Sequence, residues 1–128
     1  MLSAHLLPDA PAAVHPVRIV TSVAPITDIV ANVGGKLTEL KGIVPEGVNS
    51  HTFEPAPADA ILLAQADLII MNGLGLETQI FKLAQRVKKS STPLLLLADS
   101  TLSKNQWIFD ASFPKENRQP NPHLWLNI

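Results

Sequence analysis

Four short apolar runs, each followed by a stretch of helical period or a turn, constrain this chain more than any other feature. Val17-Arg18-Ile19-Val20-Thr21-Ser22-Val23 is short and β-branched, as a strand requires. Pro25 then suits the first turn of a helix, where a missing N–H costs nothing. Ile26, Ile29, Val30 and Val33 follow at helical spacing, and Gly34-Gly35 stops the helix. Leu37 to Val44 reads as a second strand, ending at Pro45 in a turn-rich loop. A helix from Pro57 to Gln65 follows, with Asp59 in its first turn and Ile61, Leu62 and Leu63 as its buried side. Asp67 to Asn72 is a near-continuous apolar run, the pattern of a strand covered on both faces. Gly73 and Gly75 turn into a third helix, Glu77 to Lys88, with Ile80, Phe81, Ala84 and Val87 as its inner stripe. Leu94 to Leu97 reads as a fourth buried strand.

Strands alternating with helices require crossover connections and parallel pairing. The expectation is therefore an α/β fold in three layers, with a four-stranded parallel sheet flanked by helices. Its 128 residues suffice for one such domain with its own core. A hydrophobic fraction of 46% against 16% charged residues fits a compact chain. With no cysteine, disulfides and thiolate metal sites are excluded. The net charge is −1, and Lys82, Arg86, Lys88 and Lys89 read as a solvated helix face, which argues against nucleic acid as a partner. Residues 1–16 read as a disordered Pro/Ala-rich leader in which no export signal is visible: it has neither lysine nor arginine and no apolar run of signal length. Ser100 to Gln119 reads as a polar surface excursion, anchored by Trp107-Ile108-Phe109.

In open α/β sheets ligands bind beyond the carboxyl ends of the strands. Two histidines fall there. His51 follows the second strand, on a loop whose exit is stiffened by Pro55 and Pro57. His123 follows the fourth strand at a distance, directly after Pro122. Each alone is more simply a solvated or capping loop residue; the pair on one rim is a candidate metal site. Metal ligands need a backbone set in advance, and the flanking prolines supply one. His5 and His15 lie in the leader and attract no such reading. Glu54, Asp59, Glu77 and Asp99 are the nearest carboxylates. Asp59 and Glu77 stand at helix starts, where the helix dipole accounts for them. Asp99 or Glu54 could join the histidines around a metal-bound water, which gives a second reading as a small metal-dependent α/β hydrolase. Gly73-Leu74-Gly75 is too short for a phosphate loop.

Several stretches, taken in order, resemble the N-terminal lobe of the zinc/manganese substrate-binding proteins of ABC importers, the metal-binding adhesin-like lipoprotein family. They are Ile19 to Ile26, Val44-Pro45-Glu46-Gly47 with Ser50 to Asp59, Asn72 to Glu77, and Pro122-His123-Leu124-Trp125-Leu126. The resemblance spans Val17 to Asn127 and implies one half of a two-lobe periplasmic binding protein. It implies that His51 and His123 bind a divalent ion, zinc or manganese, and that a second lobe supplies a histidine or glutamate and an aspartate. It further implies a permease in the membrane as partner, a periplasmic or cell-surface location, and binding without catalysis. On this reading residues 17–128 are the N-terminal metal-binding lobe and the C-terminal lobe is absent. Two histidines leave most of a metal's coordination shell to water, so binding by this lobe alone is expected to be weak. Binding should weaken further as pH falls through the ordinary histidine range near about 6.5, because only neutral imidazole ligates. Asn121 and Asn127 stand where the family commonly has aspartate, a change expected to loosen the loop around His123. Ser100 to Gln119 carries no histidine, unlike the histidine-rich loop of some zinc-binding members.

Overall fold

A computed structural model describes residues 15–109, 114 and 118–123. The expected leader up to residue 14, and Leu124, Trp125, Leu126 and Asn127, lie outside the described residues. The elements run β1 (Val17–Thr21), α1 (Ala24–Gly34), β2 (Thr38–Gly42), α2 (Pro57–Gln65), β3 (Leu68–Met71), α3 (Thr78–Val87), β4 (Leu94–Leu96) and a short α4 (Leu97–Thr101). The four strands form one sheet in the order β2-β1-β3-β4, every pair parallel. The chain steps from β1 to β2 in one direction, then crosses back over β1 to start β3. The loops after β1 and β3 thus diverge, which opens a crevice at that end of the sheet.

The expected strands one and two are longer than the regular ones, and the reason is visible. Ladder-like bonds continue past β1 and β2, with Ile43 N–H donating to Thr21 O at 2.9 Å and Val44 N–H to Ser22 O at 2.8 Å. Leu37 is not in the strand but in a 3-10 turn before it, and is exposed. The core is centred on Leu63, Ile69, Met71, Leu76 and Ile80, all fully buried. Each such side chain stabilises the fold by about 1.5–3 kcal/mol relative to exposure.

Three expectations about faces are corrected. On α1 only Ile26 and Val30 are buried, while Ile29 is exposed and Val33 is 84% exposed. On α2 only Leu63 is fully buried and Ile61 is exposed, because successive helical residues point about 100° apart and three in a row cannot share one face. The leucine run 94–97 is not a buried strand: β4 is an edge with Leu95 exposed, and Leu97 already belongs to α4. The inner stripe of α3 stands, with Ile80 and Ala84 buried and Phe81 and Val87 packed against the core.

At the amino ends of β1 and β3, Arg18 grips Asp67. Its backbone N–H, Nε and Nη2 donate to the Asp67 carboxylate at 3.0, 3.1 and 2.8 Å. The side-chain bonds, and then the backbone bond, draw the Asp67 carboxyl down to about 2. Both groups are well solvated, so the pair contributes modestly.

Candidate metal centre

His51 and His123 come together. Their ring centroids lie 5.5 Å apart with the ring planes inclined at 58°. His51 is exposed and His123 half-buried. That separation suits an edge-to-face aromatic pair. It also suits two imidazoles converging on one cation. With metal–nitrogen bonds of about 2.0–2.1 Å and near-tetrahedral angles, the ring centres would stand roughly 5–5.5 Å apart.

Each histidine is set by a small turn of the same kind. His51 N–H donates to Asn49 Oδ1 at 3.0 Å, and His123 N–H donates to Asn121 Oδ1, also at 3.0 Å. Beyond His51, Phe53 packs on the core and Pro57 opens α2. Asp59 reaches back from the first turn of α2 to accept the Ala56 N–H at 2.7 Å, half of a capping box. At His123 the ring is held as well, with Nδ1 2.9 Å from Asn121 Oδ1. An amide oxygen only accepts, so this contact is one that a proton on Nδ1 would satisfy. The amide oxygen of Asn121 thus meets both the backbone N–H and the ring of His123.

The carboxylates serve elsewhere. Glu77 is 3% exposed, at the start of α3. It accepts Ser22 Oγ–H and Asn72 N–H, both at 2.6 Å, and Gly73 N–H at 3.3 Å. A buried carboxylate gripped by three donors does more than face a helix dipole; it joins the ends of β1 and β3. Asp99 accepts the Leu74 N–H at 3.2 Å. It thereby braces a turn in which Gly73, Leu74 and Gly75 all have positive φ, a conformation that is costly for leucine. Glu54 is exposed. Among the described residues no group of three or more His, Cys, Asp or Glu side chains is gathered as a metal would need. The hydrolase reading required such a set in one chain and is not favoured.

An open cleft of about 520 Å³ adjoins His123, lined among others by Val23, Pro25, Asp28, Glu46 and Ser50. Of Trp107-Ile108-Phe109, Trp107 is half-buried while Ile108 and Phe109 are exposed. Backbone contacts also hold the segment: Phe109 pairs with Pro120, and Asn121 N–H donates to Ile108 O at 2.7 Å.

Sequence reasoning missed Asn72. It is 2% exposed, and its side-chain amide donates to the Pro122 carbonyl at 2.8 Å. Its place between an apolar strand and two glycines marks a strand end, and nothing local reveals a partner so far along the chain.

Among known proteins, the manganese ABC transporter substrate-binding lipoprotein PsaA of Streptococcus anginosus is 32% identical over 115 residues. The match covers 87% of this chain and 36% of that protein, so the chain spans about a third of the length of such relatives. The periplasmic zinc-binding protein TroA of Treponema pallidum superposes with a TM-score of 0.71 at 29% identity, over 87% of this chain and 38% of TroA. A manganese-bound periplasmic metal-binding protein from Candidatus Liberibacter asiaticus gives 0.72 at 30% identity, over 86% of this chain and 38% of its own. The family model described as ZnuA, zinc-uptake complex component A, periplasmic, matches residues 19–128. With that model covering most of its length, the chain belongs to the ZnuA family of metal-uptake substrate-binding proteins.

Proposed function

We propose that this chain is the N-terminal metal-binding lobe, residues 17–128, of a substrate-binding protein that captures a divalent ion, zinc or manganese, through His51 and His123 and delivers it to a membrane permease. The reading is of binding without turnover, in the periplasm or at the cell surface. The observation that carries it is the 5.5 Å approach of two imidazoles from loops 72 positions apart in a chain of this family. The 2.9 Å approach of His123 Nδ1 to Asn121 Oδ1 supports it, because a metal-binding imidazole ordinarily gives its other N–H to an oxygen acceptor. Zinc asks for three or four protein ligands and manganese for more, so the remaining ligands would come from a second lobe and from water.

Isothermal titration with Zn²⁺ and Mn²⁺ tests this. The protein should bind one ion weakly, and His51→Ala or His123→Ala should each weaken binding at least about 10-fold, with unchanged far-UV circular dichroism. Tight binding that survives both substitutions would overturn the reading.

A further inference from the structure

We infer that Asn72 is the positioning residue for His123, acting through the peptide bond between Pro122 and His123; its bearing on metal capture rests on the function proposed above. That peptide is held at both ends. Its carbonyl accepts the Asn72 side-chain amide at 2.8 Å, and its N–H donates to Asn121 Oδ1 at 3.0 Å. A peptide unit gripped on both sides is fixed in rotation as well as position, because it is planar. That rotation sets the direction in which the His123 side chain leaves the backbone. Proline at 122 has no N–H of its own, so this carbonyl is the polar backbone group through which residue 122 can be tied down.

Asn72 is itself immobilised. Its backbone N–H donates to Glu77 Oε1 at 2.6 Å and lies 3.3 Å from Ser22 Oγ, while its carbonyl accepts the Ala98 N–H at 2.8 Å. Its second amide hydrogen goes to Gly73 O at 3.0 Å. The His123 loop is thus referred to the ends of β1 and β3, the two central strands of the sheet. The chemistry is particular to asparagine. Aspartate has the same shape but would set a carboxylate against two carbonyl oxygens, and serine is too short to reach Pro122.

The test uses the whole 128-residue chain, with Asn72→Ala and Asn72→Ser as independent variants and two readouts. The first is the ¹⁵N spectrum of the His123 ring in metal-free protein at pH 8. Wild type should show the Nδ1-H form, and both variants should shift toward the Nε2-H form usual for unrestrained histidine. The second is Zn²⁺ affinity. Each variant should bind about 10-fold more weakly. The loss should persist in a His51→Ala background and vanish in a His123→Ala background, which a general loss of structure would not do. An unchanged ring spectrum in a folded variant overturns the inference, as does an affinity loss of equal size with and without His123. If wild type shows no His123-dependent zinc binding, the metal reading fails by itself, and the ring spectrum alone still decides whether Asn72 positions His123.

Discussion

At both histidines an asparagine two residues upstream accepts the histidine's backbone N–H at the same 3.0 Å. What lies behind the two turns differs. Behind His51 stand local features: Phe53 against the core, two prolines, and the capped start of α2. Behind His123 stands a buried polar chain, Pro122 to Asn72 to Glu77 and Ser22, that crosses about 50 positions of sequence in one hydrogen bond. One histidine loop is set by its own chemistry and the other by the sheet. The first kind tolerates change elsewhere in the fold. The second carries any disturbance of the strand ends directly to the histidine.

The most severe way to probe that contrast is Glu77→Ala. It leaves the Ser22 hydroxyl and the Asn72 and Gly73 N–H groups without their buried acceptor, a loss of about 3–5 kcal/mol read by urea denaturation. The His123 ring signals should broaden or shift while those of His51 stay put. A loss below about 1 kcal/mol would mean the buried chain is no foundation. Phe53→Ala is the counterpart on the other side. The ring is only half-buried, so about 2 kcal/mol is expected, with His51 rather than His123 disturbed.

Smaller and sharper is the pair Asn121→Ala and Asn49→Ala. Asn121 holds both the backbone and the ring of its histidine, whereas the contact described for Asn49 is to the backbone. Zn²⁺ affinity should fall about 10-fold for the first and about threefold for the second. Equal losses would remove the distinction between the loops.

The least effect is expected at the far end of the sheet. The folded-state carboxyl of Asp67 titrates near about 2, below its ordinary 3.8. The sign follows: this stabilisation is fully present above the unfolded value and is lost as pH falls from about 4 through 2. Arg18→Ala should flatten that part of the stability profile slightly and leave both histidines untouched. A shift of the His123 signals in this variant would show that the two ends of β1 are coupled.

Much of the architecture was legible from alternation alone, because parallel pairing forces a crossover after every strand. Strand ends and helix faces were less so. Burial of the leucines at 94–97 depends on what stands beside β4, and the run itself carries no mark of being at an edge. His51 and His123 could be picked out by their prolines and their placement beyond the strands, and the structure sets their rings side by side. Asn72 could not. Hydrogen bonds between a strand end and a distant loop have no period, and a side chain that donates to a backbone carbonyl constrains no residue type at the other end. Glu77 looked like a helix-start residue because its long reach back to Ser22 and Asn72 exists only once the turn at 73–75 is formed.

The small antiparallel contact between Phe109 and Pro120, with Asn121 N–H on Ile108 O, sits immediately before the loop that carries His123. It closes the intervening stretch at its base. Closing a longer loop costs only about 0.6 kcal/mol for each doubling of its length. The approach of the chain to Asn121 is therefore set by this contact, whatever the length of sequence between Phe109 and Pro120.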